Sequence, residues 1–282
     1  MQPPEQITVI KAPSRWDFVD FTHLWEYREL LFFLVWRDVK VRYKQTALGV
    51  SWAILQPLFS MIVFTIFFGR IAGIESDGIP YPVFSYAALL PWTFFAQGLT
   101  QSSGSLVSSA NLIRKVYFPR VIIPVSSVLA GVVDFLLAFS LLFILMAYYN
   151  VWPNRSIIWL PLLFLLAFST VLGVGMWLSA LYVKYRDVKY IAPFIIQMWL
   201  FVTPVIYPAS IVTSRLESAN FPGWIYGLNP MVGVVEGFRW ALLGTQSQPY
   251  ALIVASGVVS ALLLISGLFV FNQMEKSFAD VV

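Results

Sequence analysis

WRDVKVRYKQTALGVSWAILQP, residues Trp36 to Pro57, decides how the rest of the chain is read. It sets four basic side chains, Arg37, Lys40, Arg42 and Lys44, directly before a 25-residue run, Gln45 to Gly69, that carries no charge. A basic cluster abutting an uncharged apolar segment marks the entry of a chain into a bilayer, with the basic side held in the cytoplasm. Upstream, Leu24, Tyr27, Leu31, Leu34 and Val35 recur at helical spacing, while Glu26, Glu29, Arg37, Lys40 and Lys44 fall mostly elsewhere on the wheel. That pattern predicts a helix over residues 23–46 lying in the interface with its apolar face in lipid, although a soluble amphipathic helix has the same spacing.

Composition agrees with the membrane reading. The chain of 282 residues is 59% hydrophobic and 11% charged, with a mean hydropathy of +0.77, whereas soluble domains carry about 25% charge. A net charge of +4 is compatible with nucleic-acid binding, but the basic residues sit in short loops beside apolar segments, which is the membrane pattern. There is no cysteine, so neither a disulfide nor a thiolate metal site is available. The first residues, MQPPEQITVIKAPSRWDF, hold no apolar core followed by a small-residue cleavage site, so no signal peptide is expected. Residues 1–22 are expected to form a flexible or surface-lying arm.

A spanning helix needs roughly 20 mostly apolar residues. The expected spans are Val50–Ile71, Phe84–Val107, Ile122–Tyr149, Ile158–Val183, Tyr190–Tyr207 and Tyr250–Phe271. Residues 208–248 between the last two contain a further helix signal. Asn229 and Pro230 read as N-cap and first helical position, and Glu236 and Arg239 at i, i+3 are placed to pair. That stretch is too polar to span and too apolar to float, which predicts a re-entrant or surface helix. The expected fold is therefore all-α and integral to the membrane. It has six spans over residues 47–282, an interfacial helix before them, and re-entrant or surface outer helices between spans five and six. Of the 18 Lys and Arg, 14 then fall on the side of the termini, leaving Arg70, Arg155, Arg215 and Arg239 on the other. The charge bias predicts both termini in the cytoplasm.

Little here does chemistry. His23 is the one histidine, and no metal-ligand or paired-carboxylate spacing is present. None of the 16 glycines precedes a lysine, so there is no P-loop and no ATP hydrolysis by that route. Four features point to transport, each with a plainer alternative. Thr93, Gln97, Thr100, Gln101, Gly104 and Ser108 form one polar face of the second span, either helix-to-helix glue or the wall of a watery passage. Trp52, Gln56, Phe59, Val63 and Phe67 share a face of the first span, suiting sugar rings or an aromatic packing seam equally. Asp134, the one carboxylate in an expected span, is a proton relay or a partner for another helix. The loop NLIRKVYFPR, residues 111–120, is either a docking place for a cytoplasmic partner or a positive-inside anchor.

RDVKVRYKQTALGVSWAILQPL, FFGRIAGIESDGIPYPVFSYAALLPWTFF and NLIRKVYFPR, followed by YRDVKYIAPFIIQMWLFVTPVIYP and LNPMVGVVEGFRWALLG, together resemble a known family. It is that of the membrane subunits of polysaccharide-exporting ABC transporters, the O-antigen and teichoic-acid export permeases of the type-2 exporter class. The resemblance covers nearly the whole chain from about residue 25. It implies a transport subunit rather than an enzyme, working in the bacterial inner membrane as a homodimer with two separate ATPase subunits. ATP and Mg would be bound there, with no cofactor on this chain. It implies that Asn111, Arg114, Lys115, Phe118, Pro119 and Arg120 form the coupling helix that meets the ATPase, and that Arg37, Lys40, Arg42 and Lys44 meet lipid-linked phosphate at the entrance. It further implies that Trp52, Gln56, Phe59 and Phe67 line the channel, and that Asn229, Pro230, Glu236 and Arg239 belong to the outer gate. The implied cargo is a glycan on undecaprenyl pyrophosphate. Teichoic-acid, capsule, drug and lipid exporters are the nearest alternatives. A secondary flippase, or an enzyme acting on lipid-linked sugars, is the alternative from another class.

Overall fold

The computed structural model describes residues 25–44, 48–245 and 248–281. The expected N-terminal arm, residues 1–22, lies outside them. The described chain is helical, and its middle is organised around one long helix.

Helix α1, Arg28–Tyr43, comes first and packs along α5 (Ile122–Tyr148). Tyr27, Leu30, Leu31 and the buried Leu34 pack into a cluster with Ile113, Phe118, Phe271 and Phe278. This corrects the expected orientation, in which the Tyr27, Leu31 and Leu34 face met lipid. The helix is apolar on a second side as well, where Phe32, Phe33 and Trp36 are exposed. Burial against protein went to the Leu30, Leu31 and Leu34 face, and the Phe32, Phe33 and Trp36 face was left outward.

After a 3-10 turn at Gly49–Ser51, α2 (Trp52–Phe64) runs through Pro57 and widens into a π-helical stretch, Thr65–Ile71. A turn with Asp77 and Gly78 at positive φ leads into α3, Tyr81–Ser108. At about 1.5 Å per residue, this helix of 28 residues is long enough to cross a bilayer. Its inward side holds Ser85, Ser102, Ser103 and Ser105 beside Tyr86, Phe95 and Leu99. These hydroxyls are tolerable because α5, α6 (Leu160–Lys184) and α9 (Pro230–Leu243) cover them and most return a hydrogen bond to their own helix. Between α3 and α5 lies the short α4, Ala110–Lys115.

Among the described residues, four stretches are long and apolar enough to cross a membrane, namely Gly49–Ile71, Ile122–Tyr148, Arg155–Lys184 and Tyr250–Glu275. The third combines a 3-10 turn, Arg155–Trp159, with α6, and the fourth lies within α10, Tyr250–Val281. The chain is thus a multi-pass membrane protein. Helix α7, Val188–Val202, has 15 residues and is about 22 Å long, short of the ~30 Å hydrocarbon core. It stops before the expected Tyr207 because Pro204 disfavours helical geometry at Thr203, whose ψ is 140°. Helix α8, Ser210–Ser218, and a 3-10 turn, Gly223–Leu228, then lead into α9.

Helices α6 and α10 cross with Gly173 against Gly267. A Cβ on Gly173 would lie 2.6 Å from the Leu263 carbonyl carbon, and one on Gly267 would lie 2.4 Å from the Gly173 oxygen. Close approach through small residues is how helices associate where solvent offers no hydrophobic drive. Beside the crossing, the Thr170 and Ser260 hydroxyls meet at 2.7 Å. Because backbone cannot step aside as a side chain can, Gly173→Leu is expected to cost ~3 kcal/mol, the upper end of ordinary overpacking. Thermal melting of the detergent-solubilised protein reads this directly, and an unchanged melting point would refute the crossing.

Candidate functional site

Helices α2, α3 and α7 enclose a groove of roughly 330 Å³. Its lining includes Gln56 from α2, Trp92, Gln97, Thr100 and Gln101 from α3, and Ile196, Gln197 and Leu200 from α7. The Gln97 amide Nε2 donates to Gln56 Oε1 at 3.1 Å. None of Thr93, Gln97, Thr100, Gln101, Gly104 and Ser108 is buried, so the polar face of α3 opens outward from the chain rather than sealing it internally. The aromatic face of α2 behaves likewise. Trp52, Phe59 and Phe67 are exposed on one flank, and Phe194 and Phe201 of α7 are exposed on the other. Amide groups in a concave wall, with aromatic faces beside them, can hydrogen-bond hydroxyl groups and stack on apolar ring faces.

One end of this groove rests on a charged cluster. Arg42, near the end of α1, donates through Nη1 to Asp134 Oδ2 and through Nη2 to Gln101 Oε1. The neighbouring Tyr43 hydroxyl donates to Asp134 Oδ1. Burial first, and then the hydrogen bond from Tyr43 to the Asp134 carboxylate, push the Tyr43 phenol above its ordinary value, so it remains a donor. Both Asp134 oxygens are occupied, which makes this carboxylate the anchor tying α1 to α5. Of the four entrance cations expected together, only Arg42 turns to the groove. Arg37 pairs with its neighbour Asp38 at 2.8 Å, in a partly exposed position worth little. Lys40 and Lys44 point outward.

The loop 111–120 is divided in the same way. Asn111, Arg114 and Lys115 are exposed, and Tyr117, 77% exposed, stands out beside Val116. Phe118 is 4% exposed and enters the cluster under α1. It fastens the loop to the body rather than offering itself to a partner. The Arg120 backbone N–H donates to Glu275 Oε1 at 2.9 Å, and its guanidinium donates to the Glu275 carbonyl. Phe118 and Arg120 are thus the roots of a loop whose exposed crown is Asn111, Arg114, Lys115 and Tyr117.

At the far end of α7, Asn229 caps α9 by accepting from Met231 N–H at 3.1 Å. The same oxygen accepts from Trp199 Nε1 at 2.9 Å, and the Asn229 amide donates to Thr203 Oγ1 at 3.0 Å. Pro230 takes the first helical position. Every residue of α9 is buried, and Gly244 closes it in the left-handed conformation. Glu236 and Arg239 pair at 2.8 Å as expected from their spacing. They do so inside the protein, where Arg239 also donates to the carbonyls of Val205 (2.8 Å) and Tyr207 (3.1 Å). Glu236 accepts from Ala209 N–H at 3.0 Å. The pair holds the irregular segment that joins α7 to α8.

The sequence pattern of the ABC-2 type transporter family matches residues 29–243, from α1 to the end of α9. The chain belongs to this family. Among the relatives of this ABC-2 chain is the O-antigen export system permease protein RfbA of Myxococcus xanthus, 30% identical over 92% of the chain and 97% of that protein. The protein of the same name from Klebsiella pneumoniae is 28% identical over 90% of the chain and 95% of its own length. The polysialic acid transport protein KpsM of Escherichia coli is 23% identical over 73% and 78%.

Sequence reasoning overlooked Tyr43, Gln101 as a partner of Arg42, and Tyr117. Asp134 was the available signal for the first two. An intramembrane carboxylate requires a partner, and the nearest run of cations precedes the first span.

Proposed function

We propose that this chain is the membrane subunit of an ATP-driven exporter that carries lipid-linked polysaccharide of the O-antigen type out of the cytoplasm. The observation that carries the proposal is the groove between α2, α3 and α7, which is lined by polar but uncharged side chains, lies near exposed aromatics and holds Gln101, the partner of Arg42. The family membership and the two RfbA relatives point the same way. Two copies meet across the exposed faces of α2 and α7 and enclose the passage between them, in the inner membrane. With α3 and α7 counted beside the four apolar spans, six segments cross, and both termini lie in the cytoplasm with 14 of the 18 Lys and Arg. Helices α8 and α9 re-enter from the outer side as the gate.

Two ATP-binding subunits supply the energy, binding ATP and Mg themselves and docking on the crown of the 111–120 loop. Lys40 and Lys44, which are exposed, receive the pyrophosphate of an undecaprenyl-type carrier at the entrance with Arg37 beside them, at the end of the interfacial helix α1. Arg42 stays bound to Asp134 and Gln101. Trp52, Gln56, Phe59 and Phe67 border the glycan's path. Capsular polysaccharide is the second reading, favoured by the similarity to KpsM.

The test is co-purification with the neighbour-encoded ATP-binding subunit in lipid, with ATPase activity and glycan export both measured. Tyr117→Asp is expected to lower co-purification and export at least tenfold, equivalent to ~1.4 kcal/mol of docking, while leaving chain abundance intact. Phe118→Ala is expected instead to reduce abundance, because it empties a core position. If no ATP-binding subunit associates and the chain alone moves lipid-linked sugar, the exporter reading falls and a secondary flippase replaces it.

A further inference from the structure

We infer that the passage takes uncharged glycan and rejects polymers with an acid in each repeat. This inference rests on the exporter reading and narrows its cargo. It follows from what the groove helices carry along their lengths. Trp52 to Gly69 holds no Asp, Glu, Lys or Arg, and Tyr81 to Ser108 holds none either. In α7, the sole charge is Lys189, in the first turn. Any passage walled by these helices is therefore uncharged between Lys189 in the first turn of α7 and Arg70 in the last turn of the π-helical stretch, whatever the spacing of two copies.

Within it, Gln56, Gln97, Gln101 and Gln197 line the groove with side-chain amides. Each amide both donates and accepts, which matches a hydroxyl group that does the same. Gln97 and Gln101 are one helical turn apart on α3, and Gln56 already bonds Gln97 across to α2. Successive hydroxyls of a sugar chain can exchange with such amides with little loss at each step. A carboxylate differs, because removing it from water without a cation beside it is strongly unfavourable. Arg42, which meets the groove through Gln101, is already held by Asp134 as well.

The test expresses the chain with its ATP-binding partner in cells lacking their own exporter. These cells make either a neutral hexose polymer on the lipid carrier or a matched polymer with a uronic acid in each repeat. Surface polymer is measured by antibody labelling and normalised to lipid-linked polymer inside. The neutral polymer is expected at the surface in at least tenfold excess, since one unmatched charge in a partly solvated groove is worth about that much. Gln97→Lys, and independently Gln197→Lys on the more exposed wall, should narrow that excess by admitting the acidic polymer.

Equal export of both polymers by the unsubstituted chain would overturn the inference, as would an excess that neither lysine changes in variants reaching the membrane. If neither polymer surfaces while the two subunits co-purify, it is the exporter reading itself that fails.

Discussion

Arg239→Ala is expected to remove most of the folded chain from the membrane. The side chain is 0% exposed and each of its polar contacts is internal. It pairs with Glu236 at 2.8 Å, donates to three backbone carbonyls, those of Phe84, Val205 and Tyr207, and lies 3.6 Å from the Phe84 ring centroid. Breaking a buried pair from one side costs about 3–5 kcal/mol, because the surviving charge is stranded. Each carbonyl left without a donor adds roughly 1–3 kcal/mol. Against a total stability of about 5–15 kcal/mol for an ordinary domain, that loss is a large fraction of the whole. Arg239→Lys should be intermediate at best, since an ammonium cannot reproduce the planar fork that reaches several acceptors together.

Joint replacement with Glu236→Leu and Arg239→Met should recover part of the loss, as removing both charges leaves none stranded. The Val205 and Tyr207 carbonyls still lack donors in that variant, so recovery is incomplete. Membrane abundance and thermal melting in detergent are the measurements. An Arg239→Ala chain as abundant and as heat-resistant as the parent would show that the network contributes nothing.

That network also marks the boundary between what local sequence shows and what it does not. The start of α9 was readable because its cause is local, an Asn-Pro cap. The i, i+3 spacing of Glu236 and Arg239 was readable for the same reason. Their burial was not, since the groups that receive Arg239 lie up to 155 residues away. Arg42 presents the same difficulty, with partners 59 and 92 residues off.

The aromatic face of α2 and the polar face of α3 were legible as faces, because helical periodicity survives in any environment. Whether they met the protein's own helices could be decided only by packing. Orientation failed outright for α1, whose wheel offers two apolar sides, Tyr27–Leu31–Leu34 and Phe32–Phe33–Trp36. Periodicity finds an apolar side but does not rank two of them. In the 111–120 loop, adjacent aromatics part ways because the chain turns between α4 and α5. Tyr117 faces out and Phe118 faces in, and composition treats them alike.

The cluster at the foot of the groove distinguishes the two roles that remained open for Asp134. As a counter-ion, it earns its place through Arg42 and Tyr43. Arg42→Gln and Asp134→Asn are then each expected to destabilise the chain by about 1.5–3 kcal/mol, the usual worth of a hydrogen bond to a charged group. The two losses should not add. With both changed, an amide faces an amide, and a double-mutant cycle should return a coupling of roughly 1–3 kcal/mol, as for residues within one network. Tyr43→Phe should cost less, because it removes one donor and leaves the ion pair.

As a proton relay, Asp134 would behave otherwise. Asn cannot take up or release a proton, so export would stop beyond any loss of stability, and Arg42→Gln would offer no rescue. Melting points of the four chains in detergent, read beside export in cells, separate these outcomes. Additive losses in stability would refute the pairing. Full export by the doubly substituted chain would show that neither charge takes part in transport, leaving Arg42 and Asp134 the single task of pinning α1 to the helix bundle.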